Sequence, residues 1–274
     1  QVLLAPAAGS LVQAIAAAGF DFAILDCEHG GFDFVTLEAA ITACEDGGAS
    51  PIVRVPGPDP FFVQRALDLG ADGIVVPQIP DAAAAQRAVN AGIKVVAFDV
   101  NVENDKIPQI EQSDRELARL VLEQVIRDNG ESFKAGFVYV PGIAPFDRRN
   151  ETWKAFKVKY PGIQEVATFG TMDNPIAGSV AAQARLALAA HPDITVIFAP
   201  YDEFARGVKM AVDDAKLSSQ IKIYSADIST PDIVAMREPG SSWVATAATN
   251  PAVVGRVSVR ALAMLLAGED TTAN

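Results

Sequence analysis

Short apolar runs alternate with alanine-rich amphipathic segments along the first hundred residues. This rhythm confines the chain to α/β architecture with parallel strands and right-handed crossovers. Strands are expected at residues 2–5, 22–26, 51–55, 73–77 and 94–99. Their cores read AILD, IVRV, GIVVP and VVAFD, apolar on both faces, as in parallel strands covered by helices on either side. Helices are expected at residues 10–18, 35–46, 61–69 and 82–91. Each starts after Asp, Ser or Pro and ends near Gly, the order that helix caps require.

After Asp99 the rhythm breaks. Residues 101–112 are polar and carry a proline, and a long helix is expected at 114–128. A second α/β series follows, with strands at 137–140, 166–169, 195–199, 221–225 and 243–247. The break predicts two lobes, with crossovers near 100–112 and 244–252. The first lobe would be residues 1–104, completed by a final helix within 252–270. The second would be residues 105–251. No low-complexity linker separates them, and the βα alternation carries no sequence repeat.

Half of the 274 residues are apolar, enough for a substantial core. Acidic residues outnumber basic ones 34 to 22, for a formal charge of −12. Lys and Arg form no stripe, which argues against nucleic acid or an anionic membrane as partner. No apolar run is long enough to span a bilayer, so membrane insertion is not expected. Cys27 and Cys44 are expected as free thiols. No secretory leader is read, and the chain starts at Gln1 without a Met, as a processed or trimmed start would.

The segment Asp26-Cys27-Glu28-His29-Gly30, preceded by Phe22-Ala23-Ile24-Leu25, resembles the strand-2 motif of HpcH/HpaI-type aldolases. Pro51-Ile52-Val53-Arg54-Val55 resembles that family's strand 3, and Leu67–Pro77 its strand 4. The resemblance covers residues 1–89. It implies part of a TIM barrel, where polar residues at strand C-termini face the active site. It also implies His29 as acid/base, Asp26 and Glu28 as the acids beside it, and Arg54 as the group that binds the pyruvyl oxygens and stabilises the enolate. The family holds a divalent ion with a Glu and an Asp from the second half of the barrel, which this chain lacks. These four residues are therefore expected to be relics, with no metal and no cofactor. The alternative is residual carbon–carbon lyase activity with Mg²⁺ or Mn²⁺.

Residues 90–270 resemble type I periplasmic sugar-binding proteins, the solute receptors of ABC importers. Lys94–Asp99 is similar to the strand that ends in a sugar-binding Asp, which makes Asp99 a ligand residue. Val100 stands where many relatives carry Arg. Arg148-Arg149-Asn150-Glu151-Thr152-Trp153 is similar to the start of a sugar-contacting helix, and Arg149 fits the contact best, with Arg148 second. Tyr201 occupies a position that is often Asn, Asp227 ends a further ligand strand, and Thr249 or Asn250 sits in the returning hinge segment. The implied partners are a monosaccharide and an ABC permease, and the implied state is a monomer.

Both resembled families place ligands at strand C-termini, so a half-barrel could replace most of a binding-protein lobe. A barrel orders its strands sequentially, whereas the binding-protein lobe puts its second strand outside its first. Either order is compatible with the sequence. The expected fold is thus two-lobed and periplasmic-binding-protein-like, with flavodoxin-like lobes and a first lobe built largely from a barrel fragment. The expected function is an engineered chimeric solute-binding scaffold with weak or no sugar affinity. Asp59-Pro60 is expected to start a helix whose Phe61 and Phe62 pack on the sheet.

Overall fold

The computed structural model describes residues 12–14, 17–77, 95–99, 107–269 and 271. The expected strand at 2–5, the expected helix at 82–91, the seam after Pro77 and Val100 lie outside the described residues. The chain divides into two compact units. The first comprises Gln1–Val95, Val102–Lys106 and Leu262–Glu269, and the second Val96–Asn101, Ile107–Ala261 and Asp270–Asn274.

In the first unit, β1 (Phe22–Asp26), β2 (Ser50–Arg54) and β3 (Gly73–Val75) form a parallel sheet. Helices α1 (Phe34–Asp46) and α2 (Pro60–Asp68) connect them. Local chemistry starts both helices. The Asp33 side chain accepts the Thr36 N–H at 2.8 Å while the Thr36 hydroxyl accepts the Asp33 N–H at 3.0 Å. Asp59 accepts the Phe61 N–H at 2.9 Å, with Pro60 in the first helical turn. The strand order is sequential, β1-β2-β3, which is the barrel order. The register sets Asp26 opposite Arg54. Leu25, Val53, Val55, Leu37, Ile41 and Cys44 are core residues.

One packing expectation is corrected. Phe62 packs on this core, but Phe61 is exposed and makes edge contacts with Phe34 at 6.0 Å and Phe62 at 5.7 Å. The buried stripe of α2 runs through Phe62, Val63 and Ala66. Phe61 precedes Phe62 by one residue, about 100° round the helix and off that stripe.

In the second unit, β4 (Ala97–Phe98) pairs with β5 (Gln109–Ile110). Helix α3 (Asp114–Asn129) follows, then β6 (Ser132–Val138), α4 (Ala144–Lys159), β7 (Gly162–Phe169) and α5 (Ile176–Ala190). The series continues with β8 (Val196–Ala199), α6 (Asp202–Asp214), β9 (Lys222–Ala226), α7 (Thr230–Arg237), β10 (Trp243–Ala247) and α8 (Pro251–Ala267). The main sheet is parallel in the order β10-β9-β8-β6-β7. Its first strand is flanked by its second and third, the flavodoxin-like doubly wound order. Trp153 and Trp243 are buried core residues.

Strands β6 and β7 start earlier than expected, pairing from Ser132 and Gly162. Their first halves alternate polar Ser132, Lys134 and Gln164 with apolar Phe133 and Ile163, so a search for continuous apolar runs misses them. Likewise α4 begins at Ala144, which places Arg148 and Arg149 in its second turn.

Candidate functional site

In doubly wound sheets the strand C-termini form the ligand edge. In the second unit this edge is built around one carboxylate. Asp114, in the first turn of α3, has no exposed surface. Its Oδ1 accepts the Arg149 Nε–H at 2.8 Å, and its Oδ2 accepts the Arg148 Nε–H at 2.9 Å. Both arginines come from α4, and their side chains are only 1% and 5% exposed.

Arg149 then reaches across the strand ends. Its Nη1 donates to the carbonyl of Pro200, after β8, at 2.7 Å and to Asp227 Oδ2 at 2.6 Å. Its Nη2 donates to Asp227 Oδ1 at 3.0 Å. A guanidinium carries five N–H groups in a fixed fork. The remaining Nη2 hydrogen has no bond to a described residue. Asp227 follows β9, with its N–H on the Ala247 carbonyl at 2.9 Å and its own carbonyl accepting from Thr246 Oγ1 at 2.7 Å.

Arg148 extends the network toward β4. Its Nη2 stands 3.5 Å from Asp99 Oδ1, and its Nε 3.0 Å from Glu111. Asp99 Oδ2 accepts from Gln112 Nε2 at 2.8 Å, and Thr249 donates its hydroxyl to Gln112 Oε1 at 2.9 Å. Asp99 was expected from the first lobe but belongs to the second unit, because β4 pairs with β5 there. Burial is the main reason its carboxyl sits above the usual carboxylate range. Asp99 and Asp227 both adopt left-handed backbone, with φ of 53° and 70°. Aspartate tolerates this conformation better than most residues, and it aims the side chain away from the strand direction.

The structure therefore brings Asp99, Arg149 and Asp227 into one network. Tyr201 lies at the same edge, but its ring packs against Phe146 at 5.5 Å and Phe204 at 5.2 Å. Burial pushes its hydroxyl up to about 12. Asn250 is exposed, and its carbonyl accepts the Val253 N–H at 3.0 Å at the start of α8. Thr249, the other hinge alternative, bonds Gln112 of the network. Sequence reasoning missed Asp114 and Gln112. The paired Arg148-Arg149 in a helix facing the sheet was the available signal, since two buried guanidiniums require a buried acceptor.

The first unit holds a second cluster at the ends of β1 and β2. Asp26 is buried, and its Oδ1 accepts N–H groups from Glu28 at 3.0 Å, His29 at 3.2 Å and Arg54 Nε at 2.8 Å. Its Oδ2 accepts from Arg54 Nη2 at 2.5 Å. Arg54 holds the Asp26 carboxyl down at about 2. Glu28 takes the remaining face of Arg54 at 3.0 Å, and His29 is 71% exposed, 3.7 Å from Glu28. A divalent ion does not fit these residues. The Asp26 oxygens are filled by N–H donors, and no three His, Cys, Asp or Glu side chains among the described residues form a metal-binding group. Cys27 and Cys44 are free, and burial raises both thiols to about 11, which keeps them protonated at neutral pH.

The second unit is thus a doubly wound α/β fold with an ionic cluster at its strand ends. A family model described as periplasmic binding protein domain matches residues 62–270, and the chain belongs to that family. A second model, HpcH/HpaI aldolase/citrate lyase, matches residues 2–110. A 5-methylthioribose transporter solute binding protein from Thermotoga lettingae, solved with 5-methylthioribose, is similar over 96% of this chain and 76% of its own. It is 31% identical, with a TM-score of 0.68. A sugar ABC transporter protein from Yersinia enterocolitica is 26% identical over 93% of this chain and 81% of its own, with a TM-score of 0.70. The 2-dehydro-3,6-dideoxy-6-sulfogluconate aldolase of Pseudomonas putida is 41% identical over 88 residues, 32% of this chain. The chain spans about a third of the length of that aldolase, 34%. No helix among the described residues is long and apolar enough to cross a membrane.

Replacing Asp114 with Ala would strand two buried guanidiniums. The expected loss of stability in the second unit is about 3–5 kcal/mol. Urea unfolding followed by tryptophan fluorescence checks it, because the chain's two tryptophans, Trp153 and Trp243, both lie in this unit. An unchanged midpoint would remove Asp114 from the centre of the network.

Proposed function

We propose that this chain is a sugar-binding receptor of the ABC-importer type that keeps a half-site at the ligand edge of its second unit. The observation that carries this reading is the Arg149–Asp227 pair held by Asp114 at the strand C-termini. Asp99, Asp227, Asp114 and Glu111 supply four carboxylates against the guanidiniums of Arg148 and Arg149. The edge is therefore richer in acceptors than in donors and disfavours anions. A polyol suits it, since each hydroxyl donates to a carboxylate, and charge-assisted bonds of this kind are worth about 1.5–3 kcal/mol. Family membership and the likeness to a solved complex with 5-methylthioribose support a monosaccharide-sized ligand. Docking of a monomeric receptor on a permease follows from the same reading.

Affinity is expected to be weak. Arg149 has spent four of its N–H groups inside the protein, Tyr201 is engaged with Phe146 and Phe204, and Val100 replaces the usual second arginine. Titration of the intact chain with D-ribose and 5-methylthioribose in a calorimeter should give a Kd near millimolar, about −4 kcal/mol. Asp227→Asn, which tolerates the left-handed backbone, should abolish that signal. Binding that survives this substitution unchanged would place the site elsewhere.

Residues 1–89 read best as an aldolase fragment grafted, by engineering, onto this receptor. The local identity to the aldolase spans 88 residues, the aldolase model ends at residue 110, and the two family matches overlap only at 62–110. A residual lyase is the second reading, favoured by the survival of His29 and Arg54 beside Asp26 and Glu28. It is disfavoured by the closure of that cluster on itself. Release of pyruvate from a 4-hydroxy-2-oxo acid should stay at background with Mg²⁺ or Mn²⁺. Turnover that disappears in His29→Ala would establish the lyase.

A further inference from the structure

Asp232, in the first turn of α7, has no exposed surface. Its Oδ2 is satisfied by the Ser229 N–H at 2.6 Å and by the Ser229 hydroxyl. Its Oδ1 is buried and has no hydrogen-bond donor among the described residues. The nearest cation, Arg206 Nε, stands 3.8 Å away, beyond hydrogen-bond length, and Arg206 Nη1 is given to Glu203 at 2.5 Å. A buried carboxylate oxygen without a donor is costly, and the cost requires an explanation. The carboxyl of Asp202, in the first turn of α6, lies within side-chain hydrogen-bonding reach of the Asp232 carboxyl. Two ionised carboxylates cannot form that bond, but one proton between them can.

We propose that Asp202 and Asp232 share a single proton, and that this bond is a pH-sensitive fastening between the starts of α6 and α7. The hydroxyl of protonated Asp202 donates to Asp232 Oδ1 and so satisfies the orphaned oxygen. The fastening holds the short connection from β9 to α7, which carries Asp227. Loss of the proton leaves two buried like charges and loosens that connection. The charged and titratable groups around the pair are Tyr201, Glu203 and Arg206 from the start of α6 and Asp227 from the end of β9, with Arg149 of α4 on Asp227. Among the described residues, Arg206 is the one cation within 4 Å of Asp232, and it is shared with Glu203. Burial and Asp232 together push the Asp202 carboxyl from 3.8 to about 7.

The sign follows from proton linkage. A carboxyl that binds its proton more tightly in the folded state stabilises that state at low pH. The contribution is fully present below the unfolded value of about 3.8 and is lost as pH rises to about 7. Each pH unit in this window lowers the folding equilibrium constant by up to about tenfold, and the effect levels off above it. An effect on ligand affinity through Asp227 would rest on the sugar reading, whereas the proton pair does not. The test therefore uses no ligand.

Urea unfolding of the intact chain, read by tryptophan fluorescence, is compared between wild type and Asp202→Asn from pH 5 to 8. The asparagine amide can donate to Asp232 Oδ1 without titrating. The wild type should lose stability relative to Asp202→Asn between pH 5 and 7, with no further change above that range. Parallel profiles would overturn the proposal. If Asp202→Asn does not fold, infrared difference spectra of the wild type decide. A protonated-carboxyl band that disappears between pH 5 and 8 supports the shared proton, and its absence overturns it.

Discussion

A single buried carboxylate, Asp114, holds the ligand edge of the second unit together. It bridges Arg148 and Arg149, and through them α3 is tied to α4, to the end of β8 and to the turn after β9. It lies in the first turn of α3, where the N-terminal peptide dipoles favour negative charge. A buried ion network of this kind adds little net stability, since desolvation consumes much of the Coulombic gain. Its effect is geometric. Arg149 cannot rotate without breaking bonds to three separate elements, so the carboxylate of Asp227 is held in one position.

The same logic describes the cluster in the first unit, with a different result. The parallel register sets Asp26 opposite Arg54, and the turn after β1 folds the Glu28 and His29 N–H groups back onto Asp26. Every strong acceptor there is satisfied within the protein. Arg54 is bonded to Asp26 and Glu28, so a 2-oxo acid would have to displace a carboxylate to reach it. The sequential order β1-β2-β3 is compatible with a barrel fragment, and the HpcH/HpaI aldolase model matches residues 2–110, which include these strands. The second unit resembles a binding protein in both respects.

The parallel α/β character and the approach of Arg149 to Asp227 were legible because βα periodicity sends the strand ends of the main sheet to one side, whereas Asp99 was expected from the other lobe. What stayed hidden has a physical cause in each case. Asp114 reads in sequence as an ordinary acidic residue at a helix start, and only the fold reveals that this helix start is buried. Gln112 lies in a polar connector with no periodicity, yet its amide links Asp99 to Thr249. Tyr201 and Phe61 show the limit in the other direction, because a position in a motif does not say which way a ring turns. The Asp202–Asp232 contact joins residues thirty apart in sequence, and neither carries a local signal of it.

The central claim is that the ligand edge is a preformed, buried ion network. Side-chain Nε–H spectra of the ligand-free chain, with ¹⁵N-labelled arginine and single Arg→Lys assignments, test it most directly. The account predicts that the Nε–H signals of Arg148 and Arg149 persist at neutral pH with slow solvent exchange, and that substitution of Asp114 shifts both. Rapid exchange at both sites, like that of exposed arginines such as Arg119, would contradict it.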